Sequence, residues 1–212
     1  MEQKLDDMLK IYQENLEKEP NNPVLLYNLG VIYFLQKDFK NAENSLKKAI
    51  ESDFKRDNAQ LGSMFYQMEN YQEAIKAYEM ALEEDPNEEN LYICLSEIYK
   101  KINDKKNLQK TLQNGVKTCK NGLKIQCFLG NFYFEEQDYK NAILEYQKIN
   151  PKTYEIFLSI ANAYVMLDDI KNALKNYKKA YELAPDNAIV MNLYNDALNE
   201  FFRRKDDHFL SK

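Results

Sequence analysis

The stretch KDFKNAENSLKKAI, at Lys37–Ile50, recurs along the chain with small changes. It returns as QDYKNAILEYQKI at Gln137–Ile149 and as DDIKNALKNYKKAY at Asp168–Tyr181. Each copy places an acidic residue, a large apolar residue, Lys, Asn and Ala ahead of an apolar pattern with helical spacing. Self-similarity at a fixed period indicates a repeat protein, so this fold is considered before any other.

The spacing between equivalents of the alanine in this motif gives the length of the repeat. These equivalents, spaced by 32, 34, 34 and 31 residues, are Ala42, Ala74, Leu108, Ala142 and Ala173. Nine residues before each equivalent stands an aromatic residue: Tyr33, Phe65, Tyr99, Tyr133 and Tyr164. Twelve residues before each stands a small residue: Gly30, Gly62, Ser96, Gly130 and Ala161. A large apolar or aromatic residue follows each by four positions: Leu46, Tyr78, Leu112, Tyr146 and Tyr177.

These offsets predict two helices per repeat, because positions three, four or seven apart share one helix face. A glycine inside a helix costs about 1 kcal/mol relative to alanine, so the close approach of a second helix must offset that cost. Asp or Asn stands four residues before each alanine equivalent, where its side chain can cap the second helix. These capping residues are Asp38, Asn70, Asp104, Asp138 and Asp169. We therefore interpret the recurrent acid as a helix start and not as a catalytic carboxylate.

Taken together, the residue types that recur at these positions resemble the sequence pattern of the tetratricopeptide repeat family. The resemblance implies an all-α fold, a right-handed superhelical solenoid of antiparallel helix pairs that forms one domain over residues 1–212. An N-terminal half-repeat helix at 1–20 and a C-terminal capping helix at about 187–204 flank the repeats. The repeats are expected at about 23–54, 55–88, 89–122, 123–153 and 154–187.

The chain also departs from the family pattern. The usual tryptophan of the first helix is absent, and the third repeat is degenerate, with Lys105 in the slot of Phe39. Pro151 shortens the second helix of the fourth repeat, since proline interrupts a helix. We expect an irregular step near residues 148–156.

Composition excludes several classes of function. The net charge of −5 argues against nucleic-acid binding, which needs a dense basic face. The three cysteines, Cys94, Cys119 and Cys127, match no metal-ligand spacing, and His208 is the one histidine, so no metal and no cofactor is expected. Neither a signal peptide nor a membrane-spanning segment is apparent, which favours a cytoplasmic protein.

The resemblance implies a non-catalytic scaffold that binds a protein or peptide segment with apolar anchors in a concave groove. The groove residues it implies are Tyr27, Asn28, Val31, Phe34, Gln60, Tyr66, Lys101, Lys124, Phe128, Asn131, Phe134 and Asn162. The asparagines could bond a peptide backbone, whereas Arg56, Lys100, Lys101 and Lys124 could take a carboxylate.

Three alternatives stay open. A self-assembling homo-oligomer could use Phe201 and Phe202, although one of these rings could instead pack beneath the last repeat. A co-chaperone that grips an acidic chaperone tail is disfavoured, because the Lys, Asn and Arg positions of that family clamp hold other residues here. Those positions hold Tyr27, Val31, Gln60, Asn90 and Cys94. An enzyme is disfavoured because no nucleotide loop, nucleophile elbow or zinc motif is present.

Overall fold

The computed structural model describes residues 2–52 and 58–210. Within these ranges the chain forms twelve α-helices and no strand, which confirms the all-α prediction. It divides into two compact units, Met1–Asn103 and Asp104–Lys212. None of the described helices is both long and apolar enough to cross a membrane.

Each unit contains six of the helices in the described ranges. The helices of the first unit are α1 (Glu2–Lys18), α2 (Pro23–Leu35), α3 (Phe39–Glu51), α4 (Asn58–Gln67), α5 (Tyr71–Glu84) and α6 (Glu89–Lys101). Those of the second are α7 (Lys105–Thr118), α8 (Leu123–Glu135), α9 (Tyr139–Lys148), α10 (Tyr154–Met166), α11 (Ile170–Leu183) and α12 (Ala188–Leu210). We keep the division into five repeats as a proposal, and α9 ends at Lys148, ahead of Pro151.

The five predicted capping residues all cap helices. Asp38 Oδ1 accepts a hydrogen bond from the backbone N–H of Asn41 at 3.2 Å, and its Oδ2 accepts a second from the side-chain amide of Asn41 at 2.7 Å. The same pair of bonds recurs for the other three aspartates, with their partners Asn107, Asn141 and Asn172. Asn70 accepts from the backbone N–H of Glu73. The Asn of the repeated motif thus donates two hydrogen bonds to the capping carboxylate, one from its backbone N–H and one from its side-chain amide.

The residue before each cap has a left-handed backbone. Lys37 has a φ of 62° and Gln137 has the same value, and the remaining three are Glu69, Asn103 and Asp168. The N–H of Lys37 donates to Phe34 O at 3.0 Å and that of Asp38 donates to Tyr33 O at 2.9 Å. This is the Schellman arrangement that ends a helix. Asp38 therefore closes α2 and opens α3, which explains why the turn between paired helices is so short.

The small residues sit where paired helices approach. A Cβ added to Gly30 would lie 2.5 Å from Leu46 Cδ2, and one added to Gly130 would lie 2.5 Å from Tyr146 Cε1. The contacted side chains are those four positions after the alanine equivalents. Close approach at the glycines is confirmed, and a large side chain of the second helix makes the nearest contact.

The last helix is packed against the final repeat. α12 contributes Val190, which is 0% exposed, and Ala197, which lies in a cluster with Ala161, Ala173 and Tyr177 of α10 and α11. The ring of Tyr194 stacks on Tyr181 at 5.4 Å between centroids. α12 consequently covers an apolar flank that would otherwise face water.

Candidate functional site

The predicted groove residues of the first unit lie on the first helices of their pairs. α2 carries Tyr27, Asn28, Val31 and Phe34, α4 carries Gln60 and Tyr66, and α6 carries Lys101. Gln60 and Lys101 are exposed, whereas Asn28, Val31, Phe34 and Tyr66 are half-buried. Tyr27 is only 7% exposed, so most of its ring belongs to the core and little of it could touch a ligand.

Lys101 lies over two aromatic rings. Its Nζ is 5.7 Å from the ring centre of Tyr66 and 6.0 Å from that of Tyr71, and the two rings are 6.0 Å apart. A cation within about 6 Å of a ring face is attracted by the ring quadrupole. The ammonium group of α6 is thereby attracted towards the rings of α4 and α5.

Aromatic pairs mark the turn between paired helices in both units. Phe34 contacts Phe39 with ring centres 5.9 Å apart, and Phe134 contacts Tyr139 at 5.3 Å. In each pair the first ring ends one helix and the second begins the next, as for Tyr66 and Tyr71. The sequence analysis named the first member of each pair as a groove residue and missed its partner.

In the second unit, two tyrosine–asparagine pairs occupy equivalent positions. The Tyr146 hydroxyl donates to Asn131 Oδ1 at 2.6 Å, and the Tyr177 hydroxyl donates to Asn162 Oδ1 at 2.6 Å. Both tyrosines are buried and both asparagines are exposed. The tyrosine hydroxyl already donates to the carbonyl oxygen of each carboxamide. The two N–H donors of that carboxamide therefore remain for a ligand.

Burial governs the ionisation of these tyrosines. It is the main cause that raises the pKa of Tyr146 and of Tyr177, so each phenol stays protonated and can donate its hydrogen bond. Tyr78, the equivalent residue of the first unit, also has a pKa raised chiefly by burial, and its hydroxyl interacts with Ser63 and Cys94. Ser63 occupies the position equivalent to Asn131, so the tyrosine meets a polar first-helix residue in both units.

The remaining predicted residues of the second unit, Lys124, Phe128 and Phe134, lie on the same helix as Asn131. Phe128 and Phe134 on α8 are half-buried, and Lys124 is exposed at the start of that helix. On α10, Val165 and Met166 are 39% and 54% exposed. Apolar side chains therefore flank the amide donors of Asn131 and Asn162 along the sequences of α8 and α10.

The described residues show no group of three His, Cys, Asp or Glu side chains that could hold a metal ion. None of the three cysteines forms a disulfide bond, and burial raises the pKa of Cys94 and of Cys127. Raised thiol pKa values keep the nucleophilic thiolate scarce at neutral pH. Arg56, named above as a carboxylate partner, lies outside the described residues, as does the side chain of His208.

Comparison with known proteins agrees with this architecture. Two family models, both described as the tetratricopeptide repeat, match the chain, one at residues 23–53 and 59–88 and the other at residues 154–187. Over 190 residues the chain is 26% identical to Hsp70-Hsp90 organizing protein 3 of Arabidopsis thaliana, which covers 82% of this chain and 33% of that protein. Over 173 residues it is 24% identical to protein O-mannosyl-transferase TMTC1 of Homo sapiens, which covers 78% of this chain and 20% of that protein.

The chain thus spans a third or less of the length of these two relatives. A solved structure, that of YrrB, described as a tetratricopeptide repeat protein with an unusual peptide-binding site, superposes with a TM-score of 0.61 at 19% identity. That match covers 85% of this chain and 96% of YrrB, and at such identity it shows the fold alone. The recurring residue positions, the capped helix pairs and the matching segments together show that this chain contains tetratricopeptide repeats.

Proposed function

We propose that this protein is a non-catalytic cytoplasmic scaffold that binds a peptide segment of another protein along its first helices. Tetratricopeptide repeats are protein-interaction scaffolds, and solenoids of this kind offer extended surfaces of first-helix side chains to partners. The observation that carries the proposal is the repeated pair of Tyr146 with Asn131 and Tyr177 with Asn162.

The geometry of these pairs supports recognition of a peptide backbone. An exposed asparagine normally samples several rotamers, and a ligand must fix one of them at an entropic cost. A buried tyrosine that holds Oδ1 removes part of that cost before binding. Asn131 and Asn162 stand 31 residues apart, one in each of two successive first helices. Each therefore offers its amide N–H groups to a carbonyl oxygen of an extended segment.

The side chains around the amides define the ligand further. Phe128, Phe134, Val165 and Met166 favour apolar anchor residues, and Lys124 favours one acidic residue. Such a mixed contact corresponds to micromolar affinity, on the order of −8 kcal/mol. In the first unit, the charge of Lys101 above Tyr66 and Tyr71 favours a carboxylate in the same way.

Peptide selection followed by affinity measurement tests the proposal. Peptides are selected from a random phage library on the wild-type protein, and their dissociation constants are measured by fluorescence anisotropy. The double variant Asn131→Ala/Asn162→Ala should weaken binding by about tenfold or more, since each lost hydrogen bond contributes about 1 kcal/mol. The matched control Asn192→Ala/Asn195→Ala removes two exposed asparagines of α12 and should bind as wild type does. Undiminished binding by the first variant would refute the role of the asparagines.

Self-association is a second candidate, favoured by the outer face of α12. Ile189 is 69% exposed, Met191 39% and Phe202 53%, although a capping helix is expected to present a polar outer face. Sedimentation equilibrium at increasing protein concentration distinguishes a monomeric scaffold from a homo-oligomer. An oligomer that Ile189→Asp converts to monomers would favour this second function.

Similarity to the organizing protein of Arabidopsis raises a chaperone-related role as a remote alternative. Of the five clamp positions, Tyr27 is buried and Cys94 is half-buried, so neither supplies the exposed cation or amide that a terminal carboxylate needs. A synthetic peptide with an acidic C-terminus decides the matter. We expect no saturable binding, and binding lost on amidation of that C-terminus would support the chaperone-tail role.

A further inference from the structure

The fourth pair of helices leaves a gap in the second unit. α9 has 10 residues, whereas α7 and α11 have 14 each. The chain leaves α9 after Lys148 and passes Pro151 before α10 begins at Tyr154. α9 is consequently about one helical turn shorter than α7 and α11.

An open cavity of about 490 Å³ lies at this place, and we call it the notch. Its lining includes Pro151, Lys152, Phe157, Ile160, Lys179 and Leu183. None of the groove residues predicted for the second unit belongs to the part of the lining that the structure describes. The volume lies in the range of about 300–1,000 Å³ that is usual for ligand sites.

The notch has an apolar floor. Ile160 is 2% exposed, Phe157 is half-buried, and Leu183 at the edge is 56% exposed although it is a large apolar residue. Ile160 already belongs to a core cluster of the second unit, so the accessible apolar surface of the notch comes from Phe157 and Leu183. An apolar side chain supplied by another molecule would remove this surface from water.

The charge at the notch is positive. Lys179 Nζ is 5.3 Å from the ring centre of Phe157, and Lys152 Nζ donates to Ile149 O at 2.8 Å. These contacts hold both ammonium groups beside the apolar floor. The lining also holds one carboxylate, that of Glu182, which lies 3.8 Å from Lys178 outside the lining. With two lysines against one glutamate, the lining is net positive on a chain whose net charge is −5.

We propose that the notch is a second docking site, for a peptide segment in which an apolar residue is flanked by Asp or Glu. The apolar side chain would occupy the notch, and the flanking carboxylates would reach Lys152 and Lys179. The site is independent of the asparagine pairs on α8 and α10. A partner could therefore occupy the notch whether or not the first helices bind a ligand.

Methyl NMR with two synthetic probes tests the proposal. The acidic probe is an acetylated and amidated hexapeptide of sequence Gly-Asp-Phe-Asp-Leu-Gly, and the basic probe carries Lys in place of both Asp. The acidic probe should shift the methyl signals of Ile160 and Leu183 in a saturable manner, and the basic probe should not. The double variant Lys152→Glu/Lys179→Glu should weaken binding of the acidic probe by about tenfold, because attraction becomes repulsion.

Two controls separate the notch from other surfaces. Lys175→Glu changes the same charge on α11 but lies outside the lining, so we expect at most a minor loss of affinity. Asn131→Ala/Asn162→Ala should leave the shifts unchanged, which keeps this test distinct from that of the proposed function. The proposal is overturned if neither probe gives a saturable shift, if both probes bind alike, or if Lys175→Glu weakens binding as much as the double variant does.

Discussion

The ring of Tyr78 lies directly against Gly62. A Cβ placed on Gly62 would be 2.7 Å from Cδ1 and 2.8 Å from Cε1 of that ring, and Tyr78 is only 5% exposed. The contact joins α4 to α5 through a ring that is almost fully buried. The glycine is therefore retained for packing, despite its cost within a helix.

Replacement of Gly62 should for this reason destabilise the protein. We expect Gly62→Ala to lower the free energy of unfolding by about 1–3 kcal/mol, partly offset by the better helix propensity of alanine, and Gly62→Leu to lower it further. Urea unfolding followed by circular dichroism measures both changes. Gly122→Ala is the control, because Gly122 has a φ of −68° and its new Cβ would meet a methyl group of Ile125 instead of a ring. A loss as large as that of Gly62→Ala would contradict this account.

The left-handed residues offer a stabilising substitution. Gln137 has a φ of 62°, a conformation that costs an ordinary residue about 1–2 kcal/mol and costs glycine nothing comparable. Gln137→Gly should raise the stability by about 0.5–1 kcal/mol after the greater chain entropy of glycine is subtracted. Its neighbour Glu136 has a φ of −79°, so Glu136→Gly should destabilise instead. Melting temperatures that move in the same direction for both variants would refute the explanation.

Much of the fold was predictable because the same residue types recur at the same positions of each repeat. The capping residues, such as Asp38, stand four residues before each alanine equivalent, and the helix starts follow from them. The left-handed residues were not predictable from composition, since Lys, Glu, Asn, Gln and Asp occupy that position and no glycine does. The role of Asn41 as a second partner of the cap was also missed, although the repeated Asn was visible.

The candidate site was less predictable than the fold. Asn131 could be assigned to the groove from its position in the repeat. Its hydrogen bond with Tyr146 could not be predicted, because the two residues lie 15 positions apart in different helices. The burial of Tyr27 depends on tertiary packing that a helix pattern cannot supply. The notch was signalled only by Pro151, and its lining required the positions of α9, α10 and α11.

The capping helix should be essential for a soluble repeat array. Val190 of α12 is fully buried, whereas its neighbour Met191 is 39% exposed. Val190→Ala should lower the free energy of unfolding by about 1–3 kcal/mol, and Met191→Ala by much less. Deletion of residues 188–212 should uncover Tyr177 and cause aggregation, which light scattering would detect. An unchanged melting curve for the deletion would show that α12 adds nothing to stability.

An ion pair makes the attachment of α12 sensitive to acid. Arg204 Nη2 is 2.7 Å from Asp168 Oδ1, and Arg204 also bonds Glu200. The Arg204 hydrogen bond is the main cause that lowers the pKa of Asp168, and hydrogen bonds from Arg203 and then Arg204 lower that of Glu200 from 4.5 to about 2. A carboxyl group whose pKa is lower in the folded state stabilises the fold above its ordinary pKa. That stabilisation is lost as the pH falls through the lowered value.

The variant Arg204→Gln should accordingly be less stable than wild type at neutral pH and low salt. The difference in urea midpoint should shrink between pH 4.5 and about 2, as both carboxyl groups become protonated. Added salt should also reduce it, because these charges are exposed. Lys205→Gln removes the same charge from the next residue and serves as the control. A gap between wild type and Arg204→Gln that does not change with pH would argue against the ion pair.

We expect the opposite pH dependence of stability for Tyr146, whose contribution is lost at alkaline pH. Burial is the main cause that raises its pKa above the ordinary 10.0, so the folded state favours the neutral phenol. The stability that this contributes is complete below pH 10 and is lost as the pH rises toward the raised value. At pH 7, Tyr146→Phe should cost about 1 kcal/mol, because the hydrogen bond to Asn131 is lost. Since phenylalanine cannot ionise, the variant should lose less stability than wild type between pH 10 and 11. The two curves of urea midpoint against pH should therefore converge, and parallel curves would show that the hydroxyl of Tyr146 ionises as freely in the folded protein as in the unfolded chain.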